Sequence, residues 1–296
     1  MKAKQILATE KPVTLYETPN SALVKGNWTF GMVTARHAMN LAIKKAKNSN
    51  ISIVGGVQVM HIGRLGEYAE MAAAEKMIST IWSGGYAEVK EYPPSAVPYG
   101  GKKAILQANP FSMGFPAGDE PPMISDFATT VNSNTKLHFL REKKQELPPG
   151  SCVDKNGNPT CNPEDFFNGG AHLPFGGHKG YAILLANEFL GRIFTGADLF
   201  AKDQGNHTAL LHSGFTMIVF KSDIFITYKE YSSKVDELEN RIRAVPPAPG
   251  FKEVLIPGDL ERRTRQERTK NGIPIADKTW EAVIEIAKSL NLQDIL

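Results

Sequence analysis

Short apolar runs alternate along this sequence with segments of helical periodicity, and this alternation limits the possible folds more than any other feature. Residues 32–47 place small apolar side chains at helical spacing, and the run ISIVGGV follows from Ile51, bounded by Asn50 and Gly55. The pattern predicts a helix, a turn and a buried strand. Because the alternation recurs downstream, we expect a sheet with helices packed on it.

Later segments continue the pattern. The sequence predicts a helix over 67–78 and another over 181–194, which is apolar on nearly all sides and is therefore expected to be central. Strands are predicted from Phe215 and over 253–259. The last predicted helix carries an apolar stripe over 279–290.

Composition bounds the class of protein. The chain has 296 residues, 42% of them hydrophobic, and 34 basic against 31 acidic side chains give a net charge of +3. Such a chain can bury enough surface to fold as a packed globule. The densest basic cluster, over 262–268, is interrupted by Glu267 and is typical of a solvated helix face. With no export signal and no apolar stretch of ~18 residues, we expect a cytoplasmic protein that contacts neither nucleic acid nor membrane.

The two cysteines do not indicate a metal centre. Cys152 and Cys161 lie in a polar, Pro-rich stretch over 142–168 that is typical of a loop, and no pair of Cys-x-x-Cys turns could hold zinc. In a reducing compartment we expect two free thiols, with a disulfide as the less favoured alternative. No metal site is therefore predicted.

Common catalytic signatures are absent. The sequence has no G-x-G-x-x-G or G-x-x-x-x-G-K-[ST] motif, which argues against an ordinary Rossmann or P-loop nucleotide site. It also lacks H-E-x-x-H and G-x-S-x-G, the signatures of simple metalloproteases and α/β-hydrolases. Function must be sought in less common features.

The first such feature is His61, on the predicted connection between a strand and a helix. An imidazole titrates near ~6.5, so it can hold or release a proton at working pH. His61 is therefore a candidate acid–base group, although a turn histidine that caps backbone groups would give the same pattern.

The second feature is Lys179, which lies among three closely spaced glycines at the start of a predicted helix in FGGHKGY. Free N–H groups and the positive end of the helix dipole favour an anion there, and the lysine adds a charge suited to phosphate. A plain Gly-rich turn is the alternative. The lysine pair Lys102-Lys103 after Gly100-Gly101 makes a similar but weaker case.

The third feature is Asp126, which ends an apolar run and precedes the hydroxyl pair Thr129-Thr130. Its carboxylate could accept a hydrogen bond from a ribose or an amide. A helix cap explains it equally well.

Several strings occur in a fixed order along most of the chain: HIGRLGEYAEMAAAEKMI from His61, VPYGGKKAILQANPFSMGFP from Val97, DFATT from Asp126, LPPGSCVDKNGNPTCNP from Leu147, GGHKGY from Gly176, APGFKEVLIPGDLE and NGIPI. Together they resemble the type 2 malate/L-lactate dehydrogenase family. That family also contains ureidoglycolate, sulfolactate and diketogulonate dehydrogenases and a cyclic imino-acid reductase.

The resemblance implies a non-Rossmann α/β fold with a mixed sheet and packed helices. It implies a single unit over residues 1–296, with a nucleotide-binding part roughly over 83–226 and the remainder formed by both chain ends. NAD or NADP is the implied cofactor and an intertwined homodimer the implied assembly. The unusual nucleotide site of the family accounts for the missing Rossmann motif.

The resemblance also assigns roles to individual residues. His61 corresponds to the histidine that exchanges the substrate proton, and Lys179 to the lysine that contacts the nucleotide. The other residues that correspond to the nucleotide site are Asp126, Phe127, Ala128, Gly258, Asp259 and Leu260. Arg64 is a candidate clamp for the substrate carboxylate, because a guanidinium can bind a carboxylate through two hydrogen bonds. A surface role for Arg64 is equally compatible with the sequence.

The implied chemistry is reversible hydride transfer between the nicotinamide and a small 2-hydroxy or 2-oxo acid, with His61 moving the proton. The chain departs from the family at Met60, Gly85 and Ala108, and no Ser-His-Gly segment precedes Lys11. We therefore keep alternatives from other classes: a relative that binds nucleotide or dimerises without turnover, and a relative that reduces imines.

Overall fold

The computed structural model describes residues 5–85, 93–201, 210–292 and 294. Its strands are β1 (Val13–Glu17), β2 (Ser21–Lys25), β3 (Ile51–Val57), β4 (Met77–Gly84), β5 (Phe111–Phe115), β6 (Met123–Phe127), β7 (Cys152–Val153), β8 (Pro159–Thr160), β9 (Ala171–His172) and β10 (Gly214–Lys221). One sheet has seven strands in the order β1-β2-β3-β10-β4-β5-β6, and a small sheet has the order β8-β7-β9. In the large sheet β2 and β3 are parallel and the other neighbours are antiparallel. The mixed α/β fold predicted from the sequence is therefore confirmed.

The helices are α1 (Gly31–Ser49), α2 (Gly66–Ala74), α3 (Asn134–Glu142), α4 (Pro163–Phe167), α5 (His178–Asn187), α6 (Ala197–Phe200), α7 (Tyr228–Arg243), α8 (Asp259–Asn271) and α9 (Asp277–Ser289). A π-helical turn over Glu188–Ile193 continues α5. No helix in the described part of the chain is both long and apolar enough to cross a lipid bilayer.

The main core lies between the large sheet and helices α1 and α2. Helix α1 contributes one apolar face to this core, in a cluster with side chains of the sheet. The buried residues on this face include Ala35, Ala38, Met39, Ala42 and Ala46. These small side chains let the helix approach β10 closely, and burial of their apolar surface is the main stabilising contribution there. The helix predicted over 32–47 and the buried strand that follows it are confirmed.

A second, smaller core lies under the small sheet. Leu137, Leu140 and Leu147 pack there with the buried Cys152. The prediction of a loop over 142–168 is wrong in part, since this stretch contains β7, β8 and α4. These elements are too short to show a period in the sequence.

Two further predictions need correction. The helix predicted over 67–78 ends at Ala74, and Met77 and Ile78 begin β4. The predicted strand over 253–259 is irregular up to Pro257, and Asp259 begins α8. In both places a short apolar run left helix and strand indistinguishable by period alone.

The helix predicted over 181–194 is less central than its composition suggests. Phe189, Ile193 and Phe194 expose more than half of their surface, although Leu184 is fully buried. Similarly, Ala287 alone is buried on α9 among the described residues, and Trp280 remains exposed. An apolar pattern identifies a surface that favours burial but does not say which surface covers it.

The antiparallel pairing brings several strand termini to one end of the large sheet. Gly214 at the start of β10 pairs with Gly84 at the end of β4, and Phe215 pairs with Gly56 near the end of β3. At the same end, Phe111 at the start of β5 pairs with Phe127 at the end of β6. The candidate site lies at this end of the sheet.

Candidate functional site

A cavity of about 200 Å³ opens at this end of the sheet, and His61 lines it. The chain reaches His61 directly after β3, so the connection between strand and helix that the sequence predicts for this residue is confirmed. Another part of its lining comes from the end of β4, the segment before β5 and the start of β10. Its residues are Ser83, Gly84, Gly85, Gln107, Ala108, Asn109, Pro110, Ser213 and Gly214.

His61 is exposed, and one of its ring nitrogens is already engaged. Nδ1 accepts a hydrogen bond of 3.2 Å from the Gly63 backbone N–H. An imidazolium carries a proton on both nitrogens, so this contact belongs to a neutral ring with its proton on Nε2. Protonation of His61 would break the contact with Gly63, which couples the charge of the ring to its orientation.

Asp126 joins the His61 segment to the end of β6. Its Oδ2 accepts a hydrogen bond of 2.7 Å from the Gly66 N–H, at the first residue of α2, and lies 3.7 Å from Arg64 Nε. Burial raises the pKa of this carboxyl, and the Gly66 hydrogen bond and the Arg64 charge only partly oppose that effect. The carboxylate thus contacts the start of the helix that follows His61, whereas the cap that the sequence left open would lie on the element after Asp126. A contact between Asp126 and a ribose stays a prediction.

A second cavity, of about 450 Å³, lies beside this carboxylate. Asp126 and Phe127 form one side, and Gly258 and Leu260 form the other. The structure thus brings together two segments that are far apart in sequence. The Phe127 ring, 36% exposed, makes edge contacts with Phe111 and Phe175, so it offers a rigid aromatic surface.

The neighbours of these residues have supporting positions. Ala128 precedes Thr129, whose hydroxyl donates to the carbonyls of Ala108 (2.9 Å) and Asn109 (3.0 Å) in the wall of the His61 cavity. The chain from Asp126 to Thr129 therefore connects the two cavities.

Asp259 differs from its neighbours because its carboxylate is engaged inside the protein. It pairs with Arg243 (3.0 Å) and Arg262 (2.8 Å) and accepts from the Ile256 N–H. Burial opposes ionisation here, but the hydrogen bonds from Ile256 and Arg243 outweigh it and lower the pKa of the carboxyl. The Asp259 side chain thus holds the start of α8 in place.

Lys179 lies in the exposed first turn of α5, apart from the residues that line the two cavities. No side chain caps this helix at Gly177. Unpaired N–H groups at a helix start, with a lysine beside them, suit a phosphate. Phe175 links this turn to the second cavity, because its ring lies 5.4 Å from that of Phe127.

Arg64 contacts carboxylates of the protein itself. Its Nη1 lies 2.9 Å from Glu70 Oε1, and its side chain lines a third cavity, of about 320 Å³, together with Arg265 and Arg268 of α8. It is not among the residues that line the His61 cavity. The structure therefore does not bring Arg64 and His61 together in one cavity.

A larger cavity, of about 960 Å³, adjoins the His61 cavity and shares Gln107 and Asn134 with it. Lys102, Lys103 and Lys155 line it, and no acidic residue is among its described lining. This cavity is therefore electropositive and suited to anions. The sequence pointed to the first two of these lysines and missed the third.

Cys152, His172 and Asn134 form a short chain of contacts that resembles a nucleophile arrangement in residue types only. Cys152 Sγ lies 3.9 Å from His172 Nδ1, and His172 Nε2 lies 2.6 Å from Asn134 Oδ1. Burial raises the pKa of the Cys152 thiol to about 12 and lowers that of His172 to about 4. Since a thiolate is the reactive form, this thiol is inert, and the cluster is structural. Both cysteines are free, as expected.

Sequence reasoning missed Glu188, which lies behind the wall of the His61 cavity. Its carboxylate bonds to Asn109 Nδ2 (2.8 Å) and to the Gly85 N–H (3.2 Å). A signal was present, because a single acidic residue inside the apolar run ILLANEFL is rarely buried without a specific partner.

The fold and the cavities define an α/β protein that places an exposed histidine and a lysine-lined cavity beside each other at one end of a mixed sheet. The sequence profile of the malate/L-lactate dehydrogenase family matches residues 1–284. The chain belongs to this family, as the resemblance predicted.

Individual relatives agree with this assignment. The chain is 36% identical over 279 residues to the malate/(S)-sulfolactate dehydrogenase of Methanothermus fervidus. This alignment covers 94% of this chain and 78% of that protein. It is 31% identical over 285 residues to hydroxycarboxylate dehydrogenase B of Escherichia coli, with coverage of 95% and 77%. The solved structure of sulfolactate dehydrogenase from Methanocaldococcus jannaschii superimposes with a TM-score of 0.85 at 33% identity, covering 98% of this chain and 82% of that one.

Proposed function

We propose that this protein is an NAD(P)-dependent oxidoreductase that transfers a hydride between a nicotinamide and a small 2-hydroxy or 2-oxo acid. The observation that carries the proposal is the position of His61, in a cavity joined through Gly66 and Asp126 to a second cavity with an exposed aromatic wall. The names of the relatives, which are dehydrogenases of hydroxy acids, support the same reaction class.

The residues around the second cavity fit a dinucleotide. Phe127 offers an aromatic surface, Gly258 and Leu260 form the facing wall, and Lys179 with the uncapped start of α5 suits a diphosphate. The bound nicotinamide nucleotide would supply the hydride, which no side chain can provide. Asp126 would act in this site mainly by fixing the first turn of α2, since its Oδ2 is engaged with Gly66.

His61 would donate and accept the proton of the substrate hydroxyl. In the reducing direction the imidazolium donates a proton to the oxygen that becomes the hydroxyl, and in the oxidising direction the neutral ring accepts it. Nε2 is the ring atom open for this transfer while Nδ1 contacts Gly63.

The electropositive cavity beside His61 supports an anionic substrate. Lys102, Lys103 and Lys155 line it, and it meets the His61 cavity at Gln107 and Asn134. Charges of this sign raise the local concentration of small acids and increase the association rate.

We include in this proposal the homodimer and the cytoplasmic location expected from the sequence.

The test is a reduction assay with NADH or NADPH and a panel of 2-oxo acids, followed by the loss of reduced-nicotinamide absorbance. His61→Ala should lower turnover at least ~10²-fold while nucleotide affinity stays nearly unchanged, because proton transfer contributes in the transition state. His37→Ala is the matched control, since His37 is exposed on α1 and does not line the described His61 cavity.

Three results would contradict the proposal or its mechanism. If the wild-type protein binds nucleotide but reduces no acid of the panel, the relative without turnover is the better description. If an imine is reduced and the acids are not, the imine-reducing relative is favoured. Full activity of His61→Ala would remove His61 from the mechanism.

A further inference from the structure

Glu188 is a buried charge directly behind the candidate site. Its side chain is 6% exposed, and it begins the π-helical turn that continues α5. Within this turn the Phe194 N–H donates to the Phe189 carbonyl, five residues earlier. Single π-helical turns of this kind occur frequently at functional sites, because the extra residue redirects side chains.

The Glu188 carboxylate connects the turn to two residues of the cavity wall. Oε2 accepts from Asn109 Nδ2 at 2.8 Å and from the Gly85 N–H at 3.2 Å. Asn109 and Gly85 both line the His61 cavity. One buried carboxylate therefore fixes two separate chain segments that form the same wall.

Asn109 needs such support because its backbone is strained. Its φ is +25°, in a region that residues other than glycine rarely adopt. Its carbonyl accepts from Asn187 Nδ2 at 2.6 Å and from the Thr129 hydroxyl at 3.0 Å. Asn187 and Glu188 thus hold both the main chain and the side chain of Asn109, so the strained conformation is determined by its surroundings.

The charge of Glu188 is balanced within the same turn. Oε1 pairs with Arg192 Nη1 at 2.7 Å, and Arg192 also pairs with Asp198 at 3.0 Å. Close packing fixes the turn against the sheet, since a Cβ on Gly84 would lie 2.3 Å from the Asn187 carbonyl oxygen. The turn and the wall can therefore shift only together.

We propose that Glu188 is a positioning residue for the reaction at His61, because it holds Asn109 and Gly85 in the wall of the same cavity. This inference rests on the proposed function. Glu188 does not touch the cavity-facing ring of His61 and acts through the wall. Its loss should therefore slow hydride transfer without weakening nucleotide binding.

The experiment compares Glu188→Ala and Glu188→Gln with the wild-type holoprotein in single-turnover reduction. The rate is measured per bound nucleotide at saturating 2-oxo acid. Glu188→Ala removes every contact and should slow transfer about 10²-fold, the effect expected from a displacement of roughly 1 Å remote from the chemistry. Glu188→Gln keeps an oxygen for Asn109 and loses the pair with Arg192, so its rate should be intermediate. If the alanine variant does not fold, the glutamine variant carries the test.

The control is Asp236→Asn. Asp236 is also a carboxylate that accepts backbone N–H groups from a connecting segment, Gly118 and Asp119, but it lines none of the described cavities. Its single-turnover rate should equal that of the wild type. Nucleotide affinity should stay within about threefold in all variants, since no contact of Glu188 reaches the second cavity.

The outcomes separate this inference from the function on which it rests. A wild-type protein that transfers hydride to no acid overturns both. A wild-type protein that is active, with Glu188 variants that transfer hydride at the wild-type rate per bound nucleotide, overturns the inference alone. Lower melting temperatures with unchanged rates would assign Glu188 a purely structural role.

Discussion

Replacement of Asp126 tests how the His61 segment is held. Asp126→Ala leaves the Gly66 N–H, which is at the start of α2, without its acceptor. Asp126→Asn retains an oxygen that can accept the same hydrogen bond. The two variants therefore differ mainly in whether the first turn of α2 remains capped.

The expected change in the free energy of unfolding follows from the contacts of Asp126. A buried N–H that loses its partner costs ~1–3 kcal/mol. Burial raises the pKa of Asp126, so the ionised carboxylate is held at some cost that both variants remove. We therefore expect the free energy of unfolding of Asp126→Asn to stay within about 1 kcal/mol of the wild-type value, because the amide oxygen keeps the hydrogen bond from Gly66. The free energy of unfolding of Asp126→Ala should be about 1–2 kcal/mol lower than that of Asp126→Asn, which corresponds to a melting temperature lower by roughly 2–6 °C.

Thermal unfolding followed by circular dichroism measures the stability, and a fluorescence titration measures nucleotide affinity. Asp236→Ala is the control, because its N–H partners are exposed and water can replace the carboxylate. Equal melting temperatures for Asp126→Ala and Asp126→Asn would refute the capping argument. A large loss of nucleotide affinity in a fully stable Asp126→Asn protein would instead indicate a direct contact with the ribose.

Three further predictions follow from single residues. Lys179→Ala should weaken nucleotide binding by about 1.5–3 kcal/mol if the lysine makes a charged hydrogen bond, and an unchanged dissociation constant would make it ordinary surface. In the native protein, alkylation at mildly alkaline pH should label Cys161 and spare Cys152, whose pKa is raised to about 12; equal labelling would contradict its burial. Because burial lowers the pKa of His172 from 6.5 to about 4, the unfolded chain binds the proton more tightly, so stability should fall as the pH drops from 6.5 to 4. His172→Gln should reduce that slope in urea titrations, and an unaltered slope would exclude His172 as its origin.

Much of the fold could be predicted because its elements are long and strongly periodic. Helix α1 and strand β3 agree with their predictions, since 19 and 7 residues are enough to show a period. The small strands β7 and β8, of two residues each, could not be predicted, because their pairing in the sheet β8-β7-β9 defines them and two residues show no period of their own. The end of α2 at Ala74 was missed for the same reason: β10 pairs with the chain from Met77 onward.

The sequence alone determined which residues are candidates for the proposed chemistry. It indicated His61 through its position after a strand, and Lys179 through the glycines before a helix start. It also determined the family, because ordered strings over most of the chain are specific even without a nucleotide motif. The two candidate residues are visible within a few positions of the chain, whereas the family requires the order of several strings.

Only the tertiary structure decided what these residues do to one another. It turned the Asp126 carboxylate toward Gly66, engaged Asp259 with two arginines, and placed Glu188 behind Asn109. A carboxylate of the same type can bind a ligand, cap a helix or hold a wall, and its nearest donors decide which. Those donors lie up to 103 residues away in sequence, as for Gly85 and Glu188, so only the folded chain brings them within hydrogen-bonding distance.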